Sequence, residues 1–293
     1  MQFNPPVIQK QFNSPLQVFA DSEAEQQFQE EGIVSFPLLD ADEIEELNHF
    51  YLSLPQDGLS GFHASFFRDD YPYRKLIDEK LKKILSSKLG TMFPGFYPLY
   101  GNFMVKEPDT LSAMKLHQDW TYVNEEKSLS FAIWVPLMDV NEKNGSINFM
   151  KHSHKYSLSV RGPGIACPFE KNADWIEKNA LHNFPLLAGE AIAWNHRLVH
   201  GSPPNFSEKP RIAATLIMVP KNERVVHLIH DPQKPGSEVE VFEVDSDFFM
   251  RYKIGTRPPE SMKIGFFNYP VEDLSPENLK KIAENFSNIS EKL

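Results

Sequence analysis

The stretch WNHRLVHGSPPNFSEKPRIAAT, residues 194–215, puts a histidine and an arginine on either side of one predicted turn. His200 ends a short apolar run, two prolines soon after it are typical of a turn, and Arg211 opens the next apolar run. If these runs are neighbouring strands, both side chains reach one cavity. A planar guanidinium there suits a carboxylate, which it binds through two hydrogen bonds. We therefore predict a strand-rich fold with an anion anchor close to His200.

Short apolar runs alternate with turn residues through the middle of the chain. They occupy residues 99–105, 129–140, 147–150, 190–194, 198–200 and 211–219. Many short strands separated by turns favour an antiparallel sandwich or barrel. Helices are predicted before this region, one after Asp21, one after Asp40 and one over residues 75–89, since each aspartate can cap a helix.

The chain contains no clear linker, so we predict a single domain over residues 1–293. Its predicted parts are an N-terminal arm (1–20), a mainly helical flank (21–95), a β core (96–220) and a C-terminal extension (221–293). In the extension we expect a strand at residues 238–244. Ser275 followed by Pro276 predicts a final helix to the end of the chain.

A second segment, KLHQDW at residues 115–120, supplies two further candidate metal ligands. His117 and Asp119 are two residues apart, and side chains at that spacing on an extended segment point the same way. With His200 they form the facial triad of two histidines and one carboxylate, which holds iron(II) and leaves positions for cosubstrate and oxygen. A His-x-Asp pair alone is weak evidence, so the prediction depends on His200 and Arg211.

These motifs resemble the phytanoyl-CoA dioxygenase-like branch of the iron(II)/2-oxoglutarate oxygenases, over nearly everything from residue 28 to about residue 220. The resemblance is carried by the His117-Gln118-Asp119 segment, Trp134 in the next run, the Ser153-His154 pair, and the closing His200-Gly201-Ser202 with Arg211. It implies a mainly β fold with flanking helices around a double-stranded β-helix core, a cupin-like jelly-roll.

The same resemblance assigns roles to single residues. His117, Asp119 and His200 are expected to be the metal ligands and the catalytic centre. Arg211 is expected to bind the far carboxylate of 2-oxoglutarate, with Ser202 assisting and Lys106 as a further polar contact. The implied cofactor is Fe(II), with 2-oxoglutarate and O2 as cosubstrates.

The substrate side of the pocket is predicted less directly. Candidate contacts are Asn102, Trp120, Tyr122, Trp134, His154 and Arg161. Core packing is an alternative for each aromatic residue. Arg161 lies in a Gly- and Pro-rich stretch that could bind an anionic group and close over the substrate. His154 follows an altered family turn, where a structural role is an equal alternative, and His152 and His196 are predicted to lie on the surface.

Bulk composition limits the partners and the compartment. The 30 basic and 40 acidic residues give a net charge of 30 − 40 = −10, which disfavours nucleic acid and anionic membrane as partners. The single cysteine, Cys167, allows no internal disulfide and fits a reducing cytosol. No signal peptide or membrane span is expected. We predict a cytoplasmic monomer or homodimer that acts on a small molecule.

The predicted activity is that of a dioxygenase that hydroxylates an unactivated C–H bond, with release of succinate and CO2. Its substrate is an amino acid, a natural-product intermediate or an acyl derivative. In the halogenating relatives a small residue replaces the carboxylate ligand, so Asp119 favours oxygen insertion. Desaturation or cyclisation by the same oxidant is one alternative. A non-catalytic jelly-roll that binds a metal or ligand is another, although structural zinc usually needs a fourth protein ligand.

Overall fold

The computed structural model describes residues 16–55, 60–155, 160–231, 233 and 238–269. Its strands, in chain order, are β1 (Ile33–Pro37), β2 (Phe62–Ala64), β3 (Phe96–Lys106), β4 (Met114–His117), β5 (Phe131–Pro136), β6 (Ile147–Phe149), β7 (His182–Phe184), β8 (Glu190–Asn195), β9 (His200–Ser202), β10 (Arg211–Pro220), β11 (Val226–His230), β12 (Glu238–Glu243) and β13 (Lys263–Asn268). The α-helices are α1 (Ser22–Glu31), α2 (Ala41–Ser53), α3 (Tyr71–Met92), α4 (Ala173–Asn179) and α5 (Phe248–Arg251). The predicted strand-rich middle of the chain is therefore confirmed.

The described strands form three antiparallel sheets. A six-stranded sheet has the order β1-β8-β5-β10-β3-β2, a four-stranded sheet has the order β4-β9-β6-β7, and a three-stranded sheet contains β11, β12 and β13. The first two sheets meet through apolar side chains such as Phe149 and Trp194, whose ring centroids are 5.4 Å apart. Two facing antiparallel sheets are the architecture of a jelly-roll.

The first three α-helices, α1 to α3, cover the outer face of the six-stranded sheet. Along β5 the side chains alternate, so Phe131 and Ile133 pack with the helical core, whereas Ala132 and Trp134 point between the two sheets. All six residues of β5 are buried. A strand buried on both faces reads as one continuous apolar run, which is how residues 129–140 appear in the sequence.

Caps fix the ends of the flanking helices as the sequence predicts. The side chain of Asp21 accepts from the backbone of α1, and Asp40 forms a capping box with Glu43 at the start of α2. The third helix begins earlier than predicted, because Asp70 caps it and Pro72 is accommodated in its first turn. Strand β2 lies between the second and third helices, where the sequence predicts no strand.

One predicted strand pairing is wrong. The strands of His200 and Arg211 are not neighbours, because β9 pairs with β4 and β6, whereas β10 pairs with β3 and β5. The two strands belong to different sheets of the sandwich. Residues 203–210 therefore cross from one sheet to the other, and the two side chains reach the interior from different sheets.

The extension contains three strands, of which β12 lies where the sequence predicts one, whereas β11 and β13 were not predicted. Its strand β11 is hydrogen-bonded to residues 117–123, the segment that carries two candidate metal ligands, since the Val226 N–H donates to the carbonyl of Tyr122 at 2.8 Å. The predicted final helix from residue 275 lies outside the described residues. Among the helices described, none has the length and apolar character that a membrane crossing requires.

Two glycines provide a matched test of the fold. Gly32 ends α1 at φ +80°, and a Cβ there would lie 2.4 Å from His154 Nδ1. Because left-handed backbone costs a residue with a Cβ about 1–2 kcal/mol, we expect Gly32→Ala to lower the free energy of unfolding by at least that amount.

Gly90, within α3, has open space around it. We expect Gly90→Ala to raise stability by up to about 1 kcal/mol in urea denaturation. Equal stability of the two variants would contradict this account.

Candidate metal and cosubstrate site

Three predicted ligands meet at one edge of the four-stranded sheet. His117 ends β4 and is the direct partner of His200 at the start of β9. Their ring centroids are 4.3 Å apart. Asp119 follows two residues after His117, and one ligand atom from each of the three side chains lies within 4.8 Å of the others. The geometry thus assembles the two histidines and one carboxylate that the sequence predicts.

The imidazoles are oriented to offer a lone pair to a metal. His117 Nδ1 lies 2.8 Å from the carbonyl of Lys115, and His200 Nδ1 lies 2.9 Å from the carbonyl of Leu198. A carbonyl only accepts, so Nδ1 carries the proton in each ring and Nε2 is left bare. Such an outer hydrogen bond is the usual way in which a protein orients a ligating histidine. The donor set therefore fits iron(II).

Burial and charge keep His200 and Asp119 in the protonation states that bind a metal. Burial, with a contribution from the nearby His117, lowers the pKa of His200 to about 4, so its imidazole is neutral near pH 7. Burial by itself would raise the pKa of the Asp119 carboxyl. The neighbouring histidines and the Trp194 N–H outweigh burial, and the pKa lies below its usual value. Asp119 is therefore ionised.

A buried ion cluster holds the segment that follows the metal ligands. Arg161 donates from Nε to the carbonyl of Asp119 at 2.8 Å and from its two terminal nitrogens to the Glu125 carboxylate. Arg197 donates to the same carboxylate at 3.1 Å. Burial would raise the pKa of Glu125, but the two guanidinium groups lower it to about 2. Arg161 thus has a structural partner, which does not favour its predicted role as an anchor for an anionic substrate.

Arg211 is buried but, unlike Arg161, has two nitrogens without a hydrogen-bond partner among the described residues. It opens β10 opposite Lys106 of β3, is 2% exposed, and its Cζ lies 5.0 Å from the centroid of the Trp134 ring. Within the described part of the chain, its Nε and Nη1 have no hydrogen-bond partner. Burial lowers its pKa to about 9, which leaves it charged near neutral pH. A buried guanidinium without a partner is costly, so the arrangement fits an anionic ligand such as a dicarboxylate.

Lys106 is buried but well supplied with partners. Its ammonium group donates to the carbonyls of Ser112, Ser202 and Pro203 at 2.7, 3.3 and 2.5 Å. Burial, with the charge of Arg211, lowers its pKa to about 7. These bonds hold the segment after β9 against β3. Contacts of Lys106 and Ser202 with the cosubstrate stay predictions.

The predicted substrate residues divide into two groups. Asn102 on β3 is buried, and its Oδ1 has no partner among the described residues. Its direct neighbour on β10 is Thr215, whose Oγ1 likewise has no partner among the described residues. The two residues lie four positions along their strands from Lys106 and Arg211. This polar pair faces the interior beside Trp134. Sequence reasoning missed Thr215, because it lies within an apolar run.

The aromatic candidates meet the C-terminal extension. The half-buried ring of Trp120 lies 5.5 Å from that of His227. Tyr122 is buried, shares a hydrogen bond of 2.6 Å with Tyr100, and its ring contacts Phe249 at 5.3 Å. The extension therefore packs against Trp120 and Tyr122, which follow the candidate ligands His117 and Asp119. Direct contact of these rings with a substrate stays a prediction.

The remaining histidines have structural partners. His154 is 7% exposed, its Nε2 lies 3.1 Å from the carbonyl of Gln29, and burial lowers its pKa to about 3. It packs on the end of α1, which favours the structural alternative over the substrate role. The prediction that His196 lies on the surface is wrong. The turn after β8 folds inward, so His196 is fully buried, and its Nδ1 lies 2.8 Å from Ser130 Oγ.

Two residues close to the metal ligands were not predicted from the sequence. Trp194 donates from its indole to Asp119 Oδ2 at 2.7 Å, and Glu125 neutralises the two arginines described above. Neither belongs to the His-x-Asp motif. Their contacts span 75 and up to 72 positions of sequence, so local pattern carried no signal for them.

The family model of phytanoyl-CoA dioxygenase matches residues 28–213, which is more than half of the chain. A phytanoyl-CoA dioxygenase domain-containing protein 1 homolog from Caenorhabditis elegans is 23% identical over 173 residues, 55% of this chain and 59% of its own length. A phytanoyl-CoA dioxygenase from Arabidopsis thaliana is 29% identical over 139 residues, 46% of this chain and 48% of its own. The chain thus spans about half the length of these relatives.

Solved structures with a similar fold include the epimerase SnoN in complex with Fe3+, alpha ketoglutarate and nogalamycin RO. It has a TM-score of 0.53 and 18% identity, over 69% of this chain and 84% of that chain. HygX from Streptomyces hygroscopicus, with nickel, 2-oxoglutarate and hygromycin B bound, has a TM-score of 0.51 and 16% identity, over 69% of this chain and 88% of that chain. At such identities the likeness concerns the fold, and it confirms the predicted cupin-like jelly-roll.

The ion cluster predicts a pH-dependent loss of stability. We expect Glu125→Gln to lower the free energy of unfolding of the metal-free protein at pH 7 by about 3 kcal/mol, because two buried guanidinium groups lose their counter-charge. The folded pKa of about 2 lies below the ordinary value of 4.5. The carboxylate therefore stabilises the fold above pH 4.5, and this contribution is lost as pH falls toward 2. The difference in free energy of unfolding between wild type and Glu125→Gln should therefore decrease as the pH falls from 4.5 toward 2.

A surface pair provides the control for this prediction. Glu243 faces Arg224 at 2.8 Å, with 40% and 75% of the two side chains exposed. We expect Glu243→Gln to change stability by less than about 1 kcal/mol, since water screens exposed pairs. Equal losses for the two glutamine variants in chemical denaturation would show that the buried cluster has no special role.

Proposed function

The chain belongs to the phytanoyl-CoA dioxygenase family of non-haem iron(II) enzymes that depend on 2-oxoglutarate, and we propose that it hydroxylates an unactivated C–H bond of a small molecule. The reaction consumes 2-oxoglutarate and O2 and releases succinate and CO2. We place it in the reducing cytosol, which the single cysteine favours. His117, Asp119 and His200 hold the metal in this proposal, and Arg211 holds the cosubstrate.

Arg211 is the observation that carries the proposal. A metal triad alone also suits a binding protein, whereas a buried guanidinium with two nitrogens that lack a partner among the described residues favours an anionic ligand. The guanidinium offers the two parallel donors that one carboxylate accepts. Its support by the Trp134 ring keeps the fork in place without a counter-charge. In this proposal one dicarboxylate binds both Arg211 and the metal, so the proposal accounts for the two features together.

Each residue of the site has a defined task. Bound iron(II) supplies the centre at which 2-oxoglutarate and O2 react to yield the oxidant that attacks the C–H bond. His117 and His200 offer neutral Nε2 lone pairs, and Asp119 supplies the one negative charge. A carboxylate in this position supports hydroxylation over halogenation, for which a small residue would be expected.

The charges around the metal support a substrate without phosphate groups. Arg161 and Arg197 are both bonded to Glu125, and Lys106 donates to three carbonyls. With Arg211 assigned to the cosubstrate, these cations are all committed. A CoA ester carries phosphates that would need further cations, so an amino acid or a natural-product intermediate is the better fit.

Succinate release tests the activity. The protein, loaded with Fe(II), is supplied with 2-oxoglutarate, O2 and a panel of amino acids, natural products and acyl thioesters, and succinate is measured. We expect one substrate class to stimulate release several-fold and its product to gain one oxygen atom. His200→Ala should abolish release, because it removes a metal ligand. A product lighter by two hydrogens would instead identify desaturation or cyclisation.

Replacing the fork tests the cosubstrate site separately. We expect Arg211→Lys to raise the Kd of 2-oxoglutarate about 10- to 100-fold, because lysine lacks the two parallel donors. The visible charge-transfer band of the anaerobic Fe(II)–2-oxoglutarate complex reports binding. Arg224→Lys at an exposed position is the control and should bind as wild type does. Unchanged affinity in Arg211→Lys would remove Arg211 from the cosubstrate site.

A further inference from the structure

The carboxylate of Asp119 stands with both oxygens close to the ligating imidazoles. His117 Nε2 lies 3.9 Å from Oδ1, and His200 Nε2 lies 3.8 Å from Oδ2. The two histidines therefore do not select one oxygen over the other. A carboxylate oriented in this way can bind a metal ion through one oxygen or through both.

Trp194 makes the two oxygens different. Its indole Nε1 donates to Oδ2 at 2.7 Å, within the range of a charge-assisted hydrogen bond. The indole has a single N–H and is a donor only, so this bond uses its whole polar capacity. Oδ2 is thereby engaged by the indole, whereas Oδ1 lies 3.9 Å from His117 Nε2.

The indole is held far more firmly than the carboxylate. Trp194 lies on β8 and is paired on both sides, with Ile33 of β1 and Ala132 of β5. It is 3% exposed, and its ring contacts those of Phe149 and His200 at 5.4 and 5.3 Å. Asp119, in contrast, lies beyond the end of β4. The strand-borne indole therefore positions the carboxylate.

We propose that Trp194 is a positioning residue that confines Asp119 to coordination through one oxygen and so reserves a coordination position for dioxygen. The inference rests on the proposed function. An octahedral metal with three protein donors has three positions left, and a chelating 2-oxoglutarate takes two of them. A carboxylate bound through both oxygens would take the last position. The indole bond opposes that mode, since it occupies one lone pair of Oδ2 and fixes the orientation of the carboxylate.

Nitric oxide, a dioxygen analogue, tests the inference without any substrate. The full-length Trp194→Phe variant keeps an aromatic ring and loses the N–H. Fe(II) affinity, the charge-transfer band with 2-oxoglutarate, and nitric oxide affinity from electron paramagnetic resonance are measured under anaerobic conditions. We expect Fe(II) affinity and the band to be retained, and the Kd of nitric oxide to rise about tenfold or more, as expected for loss of one charge-assisted hydrogen bond.

Trp175 provides the matched control. It lies on α4, packs in a different apolar cluster from Trp194, and is not one of the three candidate metal ligands. Trp175→Phe should bind Fe(II), 2-oxoglutarate and nitric oxide as wild type does. Equal nitric oxide affinity in wild type and Trp194→Phe would overturn the inference. Absence of the charge-transfer band in wild type itself would overturn the proposed function instead.

A second replacement guards against misfolding of the phenylalanine variant. The benzothiophene analogue of tryptophan, placed at Trp194 by noncanonical amino-acid incorporation, keeps the size of the indole and has sulfur in place of the N–H. It preserves packing against Phe149 and removes only the hydrogen bond. The same weakening of nitric oxide binding is expected. Wild-type nitric oxide affinity in this analogue would overturn the inference whatever the phenylalanine variant does.

Discussion

The site depends on the antiparallel register between β4 and β9, which sets His117 directly opposite His200. Each imidazole then donates from Nδ1 to the carbonyl of the residue two positions earlier in the sequence, His117 to Lys115 and His200 to Leu198. The same local device thus aims both rings. A shift of one residue in this register would turn one histidine to the opposite face of the sheet and separate the ligands.

The third ligand needs different support, because Asp119 lies beyond the strand. Arg161 of the buried ion cluster binds its backbone carbonyl, and Trp194 of strand β8 binds its side chain. These two hydrogen bonds position Asp119 in place of strand pairing. The interior therefore contains two kinds of arginine. Arg161 and Arg197 share the charge of Glu125 and stabilise the loop, whereas Arg211 has no described partner on two of its nitrogens. The difference separates structural cations from the one suited to a ligand.

Several local interpretations of the sequence were too simple for physical reasons. A short turn after His200 suggested a hairpin, but residues 203–210 cross between sheets, held by the bonds of Lys106 to the carbonyls of Ser202 and Pro203. His196 appeared exposed because polar residues surround it in the sequence, yet the inward turn buries it against Ser130. Both errors concern where a turn leads, which depends on contacts distant in sequence.

The sequence by itself determined the strand-rich core, the caps of α1 and α2, and which residues form the candidate metal triad and the candidate anion anchor. Each follows from short-range pattern: alternation, helix capping, or functional residues at the ends of apolar runs. Only the tertiary structure decided which strands are neighbours, which arginine lacks a counter-charge, and that Trp194 reaches Asp119 across 75 positions. These outcomes depend on the packing of two sheets, and packing brings together residues whose separation in the chain carries no periodic signal.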